Sequence, residues 1–333
     1  MTVGQEVGLG ELTQWLLATS RRSGMTDERS QPELVETWHS RTATLHHFTW
    51  TRSGFPDVVV KIHREPSDAA VHFQSMEEVA RGLRAAPSSD FAVVDPLALS
   101  RDLGAVLMPY VAGQCLSDLL VFGKWTSEKL RNDVLEIVTN CGALLARYHG
   151  REDVVTEDMS RVAHDRLRSR IERLLNQEVV LGDLTASGPV VKSYRDFHPG
   201  HIIMTEAGKV ALIDPPIEIR YEYFYRDLAF FSYSLFMTLV DPRGLKISPM
   251  RAGHRDSLVG AFLDGYTATT GHPLTDDDRF FIDSWEAFYL TKMLRKARRR
   301  RSYVRWAYYY VVIQRRLRGL KRTVTRRLRH ASS

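Results

Sequence analysis

The chain has 333 residues, 44% of them hydrophobic and 26% charged, with two cysteines and a formal charge of +6. That composition excludes a disordered segment, a disulfide framework and a chain too short to bury a core. The charge is unevenly spread: from Lys292 onward there are 16 basic residues and no acid, leaving 30 basic against all 40 acidic residues elsewhere.

Residues 1–33 read as an N-terminal extension. They lack a basic stretch followed by an apolar core, so no signal peptide is expected. Residues 34–62 read as strands: "TLHHFTWT" and "VVVKI" are β-branched or aromatic, with "RSGFPD" as the turn between them. A helix carrying Glu77 and Glu78 is expected next, and then strands in "FAVVDPLAL" and "AVLMPYV" around the turn "SRDLG". Residues 34–112 are therefore expected to form a small antiparallel sheet with one helix.

The pattern changes after residue 112. Between Thr126 and Gly150, Leu130, Val134, Ile137, Val138, Cys141, Leu144, Leu145 and Tyr148 fall at helical spacing, with Gly150 as a stop. Residues 161–180 repeat this. "KVALID" is a short strand ending at Asp214, and helices are expected over 226–240, 251–270 and from 276 onward. The most apolar run, Leu228 to Val240, has 13 residues, too few for the roughly 20 that cross a bilayer, and reads as a buried helix. Both cysteines, Cys115 and Cys141, lie in stretches that read as buried. The expected class is α+β, with a β-rich lobe (34–112) and a helical lobe (113–301). The basic tail (302–333) closes the chain.

"YRDFHPGHIIM", Tyr194 to Met204, crowds an acid and two imidazoles around a Pro-Gly break. Lys61 ends an apolar strand, Glu77 or Glu78 follows on a helix, and Asp214 closes a strand 18 residues after Asp196. Phosphoryl transfer from a nucleotide needs these types: a cation on the phosphates, a carboxylate for Mg²⁺ and another for the acceptor's proton.

That block, with "GKVALID" and "YRDLAFF" after it, resembles the catalytic core of the kinase-like phosphotransferases, among them the aminoglycoside phosphotransferases. Histidine in place of the usual asparagine, between two Arg-Asp pairs, is closer to the lipopolysaccharide kinases, which phosphorylate heptose or Kdo sugars. The resemblance implies a bilobal protein-kinase-like fold and ATP with Mg²⁺, or Mn²⁺, as cofactors. It implies Asp196 as catalytic base, Asp214 and His201 at the metal, and Lys61 on the ATP phosphates, held by Glu77 or Glu78. It further implies Met108, Tyr110 and Val111 in the connector that binds adenine, and Arg226 with Asp227 as a brace for the catalytic loop. There is no glycine-rich phosphate loop; "HSRTAT", His39 to Thr44, stands in its place.

The tail sets Trp306, Tyr310, Ile313, Leu317, Leu320, Val324 and Leu328 on one face of a basic helix. Three settings fit: a core-packed helix, an interfacial helix on anionic lipid, and a nucleic-acid contact. The expected activity is ATP-dependent phosphorylation of a sugar or glycolipid hydroxyl, at the cytoplasmic membrane face. A small-molecule kinase acting on a cationic substrate, and a pseudokinase serving as a binding module, are the alternatives.

Overall fold

The computed structural model describes residues 7–40, 42–52, 54–85, 90–123, 128–150, 155–175, 188–215, 220–241, 243, 254–299 and 303–331. The chain divides into two units: residues 1–113 with 205–218, and residues 114–204 with 219–333. Residues 205–218, which a linear division assigns to the second lobe, cluster with the first.

The first unit is built on β1 (Pro32–His39), β2 (Ala43–Trp50), β3 (Val58–His63), β5 (Ala98–Ser100) and β6 (Ala105–Pro109), an antiparallel sheet in the order β1-β2-β3-β6-β5. The segment expected as one strand at "FAVVDPLAL" is broken by Pro96 into β4 (Phe91–Ala92) and β5, since proline has no ladder donor. Strand β4 instead pairs in parallel with β10 (Val210–Leu212).

Two helices, not one, accompany this sheet. Helix α1 (Leu9–Arg22), within the expected extension, buries Leu12 and Leu16 against Phe48, Trp50, Val58, Val60 and Leu107 on one face. The alternate residues Val59, Lys61 and His63 occupy the other face, as period-two geometry requires. Helix α2 (Pro66–Ala85) supplies His72 to His63 there.

The second unit is largely helical: α3 (Leu116–Phe122), α4 (Glu128–His149), α5 (Glu157–Leu175), α6 (Tyr225–Leu239), α7 (Arg255–Thr270), α8 (Asp276–Arg299) and α9 (Tyr303–Ala331). The strands β7 (Gly113–Cys115), β8 (Val190–Ser193), β9 (Ile202–Thr205) and β11 (Arg220–Tyr223) complete it, with β8 and β11 antiparallel. Helices α4 and α7 meet through glycines: a Cβ on Gly142 would stand 2.0 Å from the Phe262 carbonyl oxygen, and one on Gly265 2.0 Å from that of Thr139. The apolar run in α6 is buried as expected, and no described helix is long and apolar enough to cross a membrane.

The basic tail is part of this packing. Ile313, Leu317 and Leu320 of α9 are buried with Phe236 and Val240 and with Ala287 and Leu290 of α8. Arg316 of α9 pairs with Glu286, which is buried and also bound by Arg255. Among the described side chains the stripe is therefore filled by protein, while Tyr310 remains exposed. The side chains of Trp306, Val324 and Leu328 lie outside the described set.

Candidate active site

In the first unit, Lys61 is 5% exposed, yet its ammonium is not stranded: it forms an ion pair with Asp214 Oδ1. Asp214 follows β10, in left-handed backbone at φ 56°, with Pro215 next. That region is uncommon for a residue with a Cβ, and such conformations gather at ligand sites. His72 Nε2 lies 3.2 Å from the same oxygen, off the line of a hydrogen bond, and His72 Nδ1 is 3.2 Å from His63 Nε2. Burial, with the nearby Lys61 charge, pushes the His63 imidazole down to about 3, so that ring is neutral.

The expected pair between Lys61 and Glu77 is not formed. Glu77 is exposed on α2, and Asp214 has taken the ammonium. Glu78 is half-buried and accepts from Gln74. The α2 residue that points at Lys61's partner is His72, which its sequence position alone did not mark.

The connector residues divide. Met108 is buried in β6 opposite Val59. The Tyr110 amide donates to the Asp57 carbonyl at 2.9 Å, so it is already engaged, whereas the Val111 backbone makes no hydrogen bond among the described residues. Trp38, His47 and Tyr110 form an aromatic stack, with His47 and Tyr110 centroids 3.9 Å apart, and Asp57 holds His47 at 3.1 Å. By register, Trp38 and His47 share the sheet face of Lys61. Ser40, in the position of the missing phosphate loop, spends its hydroxyl on its own turn: it donates to Ala43 O and accepts from Ala43 N–H.

In the second unit, the loop after β8 carries Asp196. Its amide bonds the Tyr194 carbonyl at 2.7 Å across Arg195, whose φ is 62°. That is a γ-turn of the rare, strained hand. Tyr194 and Phe197, both fully buried, pin the turn on either side, Tyr194 against Tyr148 and Phe197 against Phe231 and Phe262. Asp227 of α6 then gathers the loop. Its carboxylate accepts from Tyr194 N–H at 2.6 Å, Arg195 N–H at 3.0 Å, Ser193 Oγ at 2.8 Å and Arg226 Nη1 at 2.8 Å. His149 Nε2, from the end of α4, adds a contact at 3.1 Å. Burial alone would raise the Asp227 carboxyl, but these donors and the Arg226 charge hold it down at about 2. His149 gave no signal in the sequence, because its partner lies 78 residues away.

The Asp196 carboxylate itself is 56% exposed. Donor atoms of Asp196, His198 and His201 lie within 4.8 Å of one another. The two rings differ in what they offer. His198 Nδ1 accepts from Gly200 N–H at 3.0 Å, which puts its proton on Nε2, 3.9 Å from Asp196 Oδ1. His201 Nδ1 is 3.1 Å from the Asp196 carbonyl oxygen, so it donates there and keeps a lone pair on Nε2. A ligating histidine is normally fixed in this way. Asp214, a carboxylate already matched to a cation, fits Mg²⁺; the His201 nitrogen suits Mn²⁺ better.

The family model for the phosphotransferase enzyme family matches residues 46–267, more than half of the chain. The chain belongs to that family. No curated protein matches this phosphotransferase in sequence. Among solved structures, it is similar to choline kinase from Cryptosporidium parvum, at 10% identity and TM-score 0.58, over 95% of this chain and 97% of that one. A glucosamine kinase matches at 16% identity and TM-score 0.54, over 98% and 86%. An amicoumacin kinase in complex with AMP-PNP and Ca²⁺ matches at 13% and 0.52, over 91% and 96%. At these identities the likeness shows the fold alone, an α+β protein-kinase-like fold with an antiparallel sheet and a helical lobe.

Proposed function

We propose that this phosphotransferase moves the γ-phosphoryl group of ATP to a hydroxyl of a sugar or glycolipid. The observation that carries the reading is the Lys61–Asp214 pair: a buried ammonium and a carboxylate 153 residues apart in sequence, on a strained turn. Asp214 in the first unit and His201 in the second are each candidate metal donors by their own local geometry, and a divalent cation would neutralise phosphate charge. Lys61 turns its ammonium to the phosphates, and Val111 offers its backbone to the adenine edge beside the Trp38–His47–Tyr110 stack.

Asp196 takes the proton of the acceptor hydroxyl as its oxygen bonds to the γ-phosphorus. The bond to the bridging oxygen breaks, ADP leaves, and the proton passes from Asp196 to water. His198 Nε2–H faces the carboxylate from 3.9 Å, beyond hydrogen-bond distance, and Asp227 keeps the turn beneath it from relaxing.

Two acceptor classes have support in the chain. A membrane-held glycolipid is favoured by the exposed guanidiniums of Arg315, Arg318, Arg322 and Arg326, spaced along one face of α9 opposite its buried stripe. With Ile313, Leu317 and Leu320 buried, that face works by charge and not by insertion, at roughly 1 kcal/mol per basic residue near an anionic surface. A small cationic acceptor is favoured by the excess of acids over residues 1–291.

Transfer of ³²P from labelled ATP in a membrane extract, compared with soluble lysate, separates the two. Label entering lipid supports the glycolipid, and label entering a soluble amine-bearing sugar supports the other. No labelled product from either fraction, with ATP bound, refutes catalysis and leaves a binding module.

A further inference from the structure

We propose that His72 is a positioning residue for Asp214: its buried imidazole does from α2 what a helix carboxylate does for the strand lysine in other kinases. The inference rests on the phosphotransferase reading. In protein kinases the helix lends a glutamate to the lysine, and the pair must be formed for activity. Here the acids of α2 are Asp68, Glu77 and Glu78, and none of them pairs with Lys61. The titratable side chain of that helix that is fully buried is His72, and it reaches the carboxylate instead of the lysine.

The protonation pattern follows from the neighbours. The His63–His72 hydrogen bond needs one ring to donate and the other to accept. If His72 donated, its Nε2 lone pair would face the Asp214 carboxylate at 3.2 Å, and the His63 Nδ1 proton would be buried with no acceptor. If His63 donates, the His72 Nε2 proton faces Asp214 from 3.2 Å as an electrostatic contact off the hydrogen-bond line, and His63 buries only an unused lone pair. Electrostatics choose the second arrangement, because a buried donor without a partner costs ~1–3 kcal/mol.

One carboxylate oxygen is therefore faced by a charged ammonium and a neutral imidazole N–H of different mobility. Lys61 carries its charge on a flexible four-carbon stem and can turn to incoming phosphates. His72 cannot follow: its ring is fully buried, and His63 fixes its rotation. When Lys61 leaves, the imidazole keeps the 41%-exposed Asp214 side chain aimed for a metal ion. Groups that orient a metal ligand in this way commonly change metal affinity by about 10–100-fold when removed.

The test measures binding of a non-hydrolysable ATP analogue by calorimetry, with and without Mg²⁺ or Mn²⁺, in three proteins. His72→Met keeps the core filled but removes the N–H; His72→Gln keeps an amide N–H at similar reach. The Met variant should weaken metal-dependent binding about 10–100-fold, the Gln variant should recover it to within a few-fold, and metal-free binding should match wild type in both. A metal response like wild type in His72→Met, or equal weakening of metal-free and metal-dependent binding, overturns the inference. Should His72→Met not fold, His63→Phe removes the donor that fixes the ring. It should lose part of the same metal response, and an unchanged response there overturns the inference too. Wild type that binds the analogue without any metal effect would sink only the role of Asp214 and His72. Wild type that never binds it would sink the phosphotransferase reading, and this inference with it.

Discussion

Replacing Asp227 with asparagine removes one charge from the centre of five donors. The Oδ1 side accepts from Ser193, Arg195 and Arg226, and the Oδ2 side from Tyr194 N–H, with His149 Nε2 also near. An amide must turn its NH₂ to one side. On the Oδ2 side it meets the Tyr194 N–H, a donor 2.6 Å from the present oxygen; His149 can relieve its own contact by changing tautomer against Tyr266. Arg226, 7% exposed, loses its close anion at the same time, although Glu222 remains at 4.0 Å.

The depression of the carboxyl from 3.8 to about 2 is worth roughly 2–3 kcal/mol at ~1.4 kcal/mol per unit. Breaking a buried charge pair from one side costs about 3–5 kcal/mol, which sets the expected loss for Asp227→Asn at neutral pH. The sign with pH is definite. Because the folded value is depressed, wild type has the full contribution above about pH 4 and loses it as pH falls through about 2. The variant should lack that part of the slope. Urea unfolding over a pH series measures both quantities, and amide exchange at Tyr194 and Arg195 reports the loop directly. A loss under ~1 kcal/mol with both amides still protected would refute the brace.

Gly142→Ala should destabilise the second unit by ~1–3 kcal/mol or more in thermal or urea unfolding, since its Cβ would lie 2.0 Å from a backbone oxygen and two helices must part to admit it. A melting temperature like that of wild type would contradict the α4–α7 contact. Leu317→Ala should cost about 2–5 kcal/mol by the same measurement, as for other buried leucines, whereas a neutral result would return the tail stripe to solvent or lipid. Burial, with Glu286 beside it, pushes the Asp283 carboxyl up to about 6. Its ionisation therefore opposes folding as pH rises from about 4 to 6, and Asp283→Asn should flatten that fall and raise stability at pH 7.

The fold class was legible because its signals are local. Period-two alternation marks β2 and β3, and period-three-to-four spacing marks α4, independently of what they pack against. The loop around Asp196 was legible for another reason: a turn needs no acid with two imidazoles, so the surplus chemistry stood out. The partner of Lys61 was not legible. A lysine on a strand and a glutamate on the next helix suggest each other in sequence, but the helix phase that turns His72 inward sends Glu77 to solvent. His149 and the Trp38–His47–Tyr110 stack escaped similarly, since each depends on residues distant in the chain. The tail's stripe had the right period for both a core and a lipid surface, and only packing against α6 and α8 separates them.

The proposed chemistry turns on Asp196 as the base of an ATP-dependent phosphoryl transfer. Its most direct test is the rate of transfer from ATP to whichever acceptor the extract labels, in wild type and Asp196→Asn, with ATP affinity measured on the same preparations. Asp196→Asn should leave ATP affinity unchanged and lower transfer by ~10²-fold or more, the usual contribution of a positioned base. Transfer within a few-fold of wild type would contradict it and leave Asp196 a structural residue of the turn.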